Sequence, residues 1–215
     1  MLELLLADGR TPSGGYAHSG GLEAAIAEGL QAAEVPAFVR GRLHTIGRCQ
    51  AALAAASAAA PDLAGLLALD AEAAARTPVP ALRAADRRLG MGLLRTAATL
   101  WPSHELLADY RRASALTPRA VALGAVCGAG GLGPRPAARL SLYEEAAGVA
   151  AAAVKLLPLD GAQASAWIAA LAEEIEALAG EAAATVAHAI PSTATPLLDR
   201  RALAHSSHEG RLFAS

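Results

Sequence analysis

The chain is poor in aromatic residues: Phe, Trp and Tyr supply 3% of its 215 positions. A sheet core leans on aromatic and β-branched side chains, so this composition argues against one. Cysteine occurs twice, as Cys49 and Cys127, with no CxxC pair and no Cys/His cluster. That excludes a disulfide framework and a closed zinc site; both thiols are expected to be buried and reduced. Positive charge is not in surplus. The formal net charge is −2, which gives no electrostatic case for nucleic acid. Long hydrophobic runs are missing too. The longest candidate, Ala146 to Leu157, is too short to span a bilayer and carries Lys155. The apolar start, Leu2 to Ala7, has no basic leader before it. A soluble, cytoplasmic protein without membrane contact is expected.

What is present is alanine, in runs interrupted by Leu, Arg and Glu, the four residue types that favour helix most. Helices are therefore the default, and small side chains let them approach closely. Pro and Gly punctuate the chain. A short helix is expected over 20–28. A long one runs from Pro36 to about Ala60, with proline near the first turn, where its missing N–H costs nothing. Others follow over 63–75, 81–100, 103–114, 119–127 and 137–157, with a last long one over 163–188. The remainder, 189–215, reads as a looser tail with a helical piece around 197–204. No repeat period is visible. The expected fold is all-α: a single-domain bundle of about eight to ten helices spanning 1–215.

Few motifs carry chemistry. Gly128-Ala-Gly-Gly-Leu-Gly133 matches GxGxxG, but Pro134 and Pro136 follow at once, and neither a βαβ pattern nor a later ribose-binding acid accompanies it. It reads as an interhelical turn. No GxxxxGK[ST] phosphate loop exists, so no nucleotide hydrolysis by this chain is expected. Ala17-His-Ser-Gly-Gly21 misses the nucleophile elbow by one glycine and has no strand before it. Of six histidines, only His205 and His208 share ligand-like spacing, and two imidazoles alone make an incomplete site. Arg83, Arg87, Arg88 and Arg95 form a basic strip on one helix, which serves either as a solvated face or as an interface. Lys155, alone in an apolar run, either snorkels to water or marks a functional spot.

Three segments are more specific. Thr11-Pro-Ser-Gly-Gly-Tyr-Ala-His-Ser-Gly-Gly-Leu-Glu23 resembles the N-terminal signature of the UreF urease accessory family, with no gap. Ala153-Val-Lys-Leu-Leu-Pro-Leu159 is similar to that family's A-x-[RK]-L-x-P-L segment. Arg211-Leu-Phe-Ala-Ser215 is similar to its R-L-F-x-S ending, with His205 six residues earlier. Two positions depart from the pattern: Asp160-Gly-Ala-Gln163 stands where Gly-Gln usually follows, and Ser206 replaces a common Glu.

The resemblance implies an all-α, non-catalytic maturation factor that dimerises. It would bridge UreD (also called UreH) and the GTPase UreG, and act with them on apo-urease. It implies that this chain binds no cofactor, because nickel and GTP are handled mainly by those partners. It points to Tyr16, His18, Ser19, Glu23, Lys155, His205, Arg211, Leu212 and Phe213 as partner-contacting residues. A generic helical adaptor outside the urease system, or an unrecognised small helical enzyme, stands as the alternative.

Overall fold

The computed structural model describes residues 1–9, 11, 18–185, 189–193, 195–205 and 213, with only the backbone of Ala204 and His205. Among them there are helices and no strand. In chain order the α-helices are α1 (Leu2–Ala7), α2 (Leu22–Ala27), α3 (Val35–Arg42), α4 (Arg48–Ala58), α5 (Leu63–Ala75), α6 (Pro80–Leu100) and α7 (Glu105–Ala113). Then come α8 (Arg119–Ala129), α9 (Pro134–Leu156), α10 (Gly161–Ala170), α11 (Ala172–Ala183) and α12 (Pro196–His205). The all-α expectation holds.

Local chemistry explains several of the helix starts. Asp62 caps α5 by accepting from Gly65 N at 2.9 Å, and Asp160 caps α10 by accepting from Ala162 N at 3.1 Å. Gln31 and Glu34 form a reciprocal capping box before α3. Pro80 and Pro134 sit at the first positions of α6 and α9, where no N–H is needed.

Three boundaries differ from the sequence expectation. The prolines after Gly133 do not prolong a loop. Pro134 and Pro136 lie in the first turn of α9, and α8 runs on to Ala129, so the GxGxxG match shrinks to a short turn. The long helix over 36–60 is interrupted by a π-helical stretch, Leu43–Gly47, within which Thr45 Oγ1 donates to the Gly41 carbonyl at 2.8 Å. The last long helix divides at Leu171, which is itself buried. α10 buries only Ala164, whereas α11 buries Ile175, Leu178, Ala179 and Ala182. No Gly or Pro marks that break; both halves lie on α9, and α11 packs on α4 as well.

α4 is the centre. Ala51, Ala52, Leu53, Ala54 and Ala55 are all buried, and α8, α9 and α11 lie against it. α8 is buried over Ala120 to Cys127. α6 packs on the far side of α8, and α5 and α7 close one flank. Both cysteines are buried, as expected, and desolvation pushes the Cys49 and Cys127 thiols up to about 11 and about 12. α11 is also tied down by charge on both sides. Glu174 meets Arg40 and His44, Glu181 meets Arg48, and Glu176 meets Arg135 and Arg139. These pairs are largely exposed and add orientation more than stability. No described helix is long and apolar enough to cross a membrane.

Contact between α4 and α8 is close enough to be tested. A Cβ added at Gly124 would lie 2.2 Å from the Ala54 carbonyl oxygen and 2.6 Å from Ser57 Cβ. Gly124→Ala should force the helices apart and cost about 1–3 kcal/mol by urea denaturation. Gly180→Ala, where nothing lies within 4 Å, should instead stabilise by about 0.5–1 kcal/mol through helix propensity.

Candidate functional site

A cleft of about 670 Å³ opens beside the core, between the chain before α2, α6, α9 and α12. Its wall includes His18, Ser19, Arg42, Asp86, Lys155 and Phe213. The three segments that are far apart in sequence meet along this cleft. Ser19 is fully buried, and its Oγ accepts from Glu23 N at 3.4 Å across the start of α2. Glu23 Oε2 then accepts from Phe213 N at 3.2 Å. The Phe213 ring is buried, and Lys155 Nζ stands 5.3 Å from its centroid, within cation–π range. Lys155 is exposed, and its ammonium group lies over an aromatic ring.

Four of the expected residues, Ser19, Glu23, Lys155 and Phe213, are thus brought together. His18 lines the same cleft. Burial, helped by the nearby Arg88 charge, holds its imidazole below the ordinary value. Tyr16, Arg211 and Leu212 lie outside the described residues, as do Gly14, Gly15 and His208. The backbone of His205 ends α12, and its side chain lies outside the description. Among the described residues no three His, Cys, Asp or Glu side chains are grouped to hold a metal.

Several residues that hold the site carry no motif. Arg42 is 9% exposed; its Nη1 donates to the Gly20 carbonyl at 2.5 Å and its Nε meets Glu145 on α9. It pins the segment before α2 to α3 and α9 at once. The signal in the sequence is a charge in register with Val35 and Val39, on a face otherwise apolar. Arg76 at the end of α5 gives three hydrogen bonds to backbone carbonyls: Nε to Pro191 at 2.9 Å, Nη2 to Ile190 at 2.8 Å and Nη1 to Glu72 at 2.9 Å. It fixes the chain that leads to α12. Arg200 and Arg201 on α12 pair with Glu28 at the end of α2, and the Arg201 hydrogen bond holds that carboxyl below its ordinary range. Among the described residues after α11, Ile190, Pro191, Arg200, Arg201 and Phe213 are thus each tied to the rest of the fold.

Asp86 on α6 is the most displaced carboxyl of the cleft. Its Oδ1 accepts from Arg119 N, at the start of α8, at 3.1 Å. Burial, offset in part by that hydrogen bond and by the Arg119 charge, pushes it up from 3.8 to about 6. Protonation is thus favoured by folding. The stability this group contributes is present below about pH 4 and lost as pH rises through about 6. Asp86→Asn keeps the acceptor and removes the charge. The variant should melt higher than the parent at pH 7, and the difference should vanish below pH 4 in thermal scans.

Removing the Phe213 ring tests the convergence directly. Phe213→Ala should cost about 3–5 kcal/mol, and hydrogen exchange should speed up in α12 while α4 and α8 stay protected.

A family model described as UreF matches residues 30–172. That span includes Lys155 but neither the segment before Glu23 nor Phe213. Full-length relatives cover those ends. The urease accessory protein UreF of Mycolicibacterium vanbaalenii is 42% identical over 216 residues, covering 99% of this chain and 97% of its own. The protein of that name from Mycobacterium sp. strain JLS is 42% identical over 217 residues, with the same coverage. That of Mycobacterium tuberculosis strain H37Ra is 38% identical, again over 99% and 97% of the two chains. The chain belongs to the UreF family of urease accessory proteins.

Proposed function

We propose that this chain is a non-catalytic scaffold of urease maturation. It joins UreD/UreH to the GTPase UreG, acts on apo-urease as a homodimer, and regulates GTP-dependent nickel delivery while nickel and GTP reside mainly on the partners. The observation that supports this reading is the meeting of Ser19, Glu23, Lys155 and Phe213 beside one cleft. Residues that a family repeats at the two ends and late middle of a chain need not be neighbours. Here they are, and Phe213 is linked both to Glu23 and to Lys155. What they build is a shaped edge, with a buried hydroxyl, a carboxylate spent on a backbone N–H and an aromatic ring under an ammonium group. Such an edge suits recognition of another protein.

Partner contact through this edge predicts a separable phenotype. Lys155→Ala removes an exposed cation and leaves the core untouched. It should lower urease activation in cells and weaken pull-down of the UreD-type partner, with unchanged circular dichroism. A Lys155→Ala chain that activates urease at the parent level would count against the edge. The purified parent chain should show neither GTP hydrolysis above background nor stoichiometric nickel at sub-micromolar free metal. Either activity would overturn the scaffold reading.

A further inference from the structure

Arg119 stands where three helices meet. α6 and α9 both line the cleft, and α8, which opens with Arg119, packs on each of them. The Arg119 side chain turns to α9. Its Nε donates to Glu144 Oε2 at 3.2 Å and its Nη2 donates to Glu144 Oε1, a two-pronged pair whose side chains are 15% and 25% exposed. Its backbone N–H goes the other way, to Asp86 Oδ1 on α6 at 3.1 Å. One residue thus touches both helices, with its charge on one and a neutral donor on the other.

The junction is left incomplete on both sides. Arg119 Nη1 is buried and has no hydrogen-bond partner among the described residues. Such an orphaned donor is costly, and more so on a charged group. Among the described residues Asp86 accepts from the Arg119 backbone N–H and from no other donor. The Arg119 charge is nonetheless close enough to be felt at Asp86. Asp86 is half-buried and lines the cleft, so a proton can leave it for water.

The other groups around Asp86 have partners of their own. On α5, Asp70 accepts from Tyr110 Oη at 2.5 Å and from Ser114 Oγ. On α9, Glu145 is held by Arg42 Nε from α3. The negative charges of Asp70 and Glu145 both oppose a third at Asp86, and Tyr110 on α7 stays a neutral phenol. On α6 itself, Arg83 and Arg87 are turned to the carbonyls of Thr77, Pro78 and Ala115, while Arg88 lines the cleft with His18. Arg119 is therefore the cation that can answer a charge on Asp86.

Its backbone cannot move to do so. In the 114–118 turn before α8, Ser114 Oγ accepts from Thr117 N at 2.8 Å, and a Cβ added at Gly90 would lie 2.0 Å from the Thr117 carbonyl oxygen. With the turn resting on α6, the response falls to the Arg119 side chain.

We propose that Asp86, Arg119 and Glu144 form a proton-operated latch between two walls of the cleft. With Asp86 protonated, the guanidinium is committed to Glu144 and joins α8 to α9. When the Asp86 proton leaves to water, the carboxylate accepts the unused Nη1–H, and one guanidinium then ties α6 to α9. The bond to Glu144 persists, because Nη1 lies on a different edge of the plane from the Nε–Nη2 fork. The two walls are joined on the alkaline side of the titration and released on the acid side.

The test is NMR on the purified full-length chain, 15N-labelled at arginine, with the Arg119 Nε–Hε signal assigned by its loss in Arg119→Lys. Between pH 4.5 and 8 the signal should shift with a midpoint of about 6. In Asp86→Asn it should stay fixed over the same range. Glu144→Gln removes a competing negative charge and leaves Arg119 to Asp86, so the midpoint should fall by about 1 pH unit. That variant also tests the latch from the α9 side if Asp86→Asn does not fold by circular dichroism. A parent signal fixed from pH 4.5 to 8 would overturn the latch, as would a midpoint unmoved by Glu144→Gln. A shift that persists unchanged in Asp86→Asn would overturn it too, and would assign the response to His18, Asp70 or Glu145.

Discussion

Backbone of α8 touches backbone of α4 at Gly124, where a single methyl group would strike the Ala54 carbonyl. Everything else is arranged around that contact. Small side chains, Ala51, Ala52, Ala54 and Ala55 on one helix and Ala120, Ala122 and Ala125 on the other, remove the usual spacing between helices. Close approach multiplies dispersion contacts per unit length, which compensates for a core with few large side chains. Tyr110 is the one aromatic among the largest fully buried side chains, and it is there with a hydrogen bond to Asp70. A core built this way has little slack, so the surrounding helices inherit fixed positions from α4.

Arginine does the second layer of work. Arg42, Arg76, Arg83 and Arg87 all give hydrogen bonds to backbone carbonyls rather than only to acids. The planar guanidinium reaches several carbonyls from one side chain, and it is applied where the chain leaves regular structure: before α2, after α11, before α6 and before α8. Chain that would otherwise be a loose connector becomes part of the scaffold. This bears on function, since the cleft edge is non-helical backbone held in place by arginine, as is the 114–118 turn. The strip on α6 is therefore neither a plain solvated face nor a row of free charges. Arg83 and Arg87 tether loops, Arg88 borders the cleft, and Arg95 stays exposed.

The cleft edge and the 114–118 turn differ in kind. Along the cleft, groups from three remote segments satisfy one another, so its geometry depends on the C-terminal segment being tethered. At the 114–118 turn, the constraint comes from α5, α6 and α7, through Asp70, Gly90, Tyr110 and Ser114.

The sequence by itself determined the helical class, through alanine and leucine propensity and the scarcity of sheet-forming residues. It also determined most helix starts, which depend on a cap or a proline within one turn, as at Asp62 and Pro80. The burial of both cysteines and the family resemblance were legible from residue type and order. Tertiary structure alone decided the rest. The break at Leu171 has no local signal; beyond it α11 packs on α4 as well as on α9, whereas α10 lies on α9. The start of α9 at Pro134 was misread because proline is equally at home in a loop and in a first helical turn, and only packing selects between them. The partners of Arg42 and Arg76 lie more than twenty and more than one hundred residues away, and hydrogen bonds across such separations leave no periodic trace. The same holds for Ser19, Glu23, Lys155 and Phe213. Their identities are local facts of the chain, but their adjacency is a property of how the helices around α4 bring both ends of the chain to one edge.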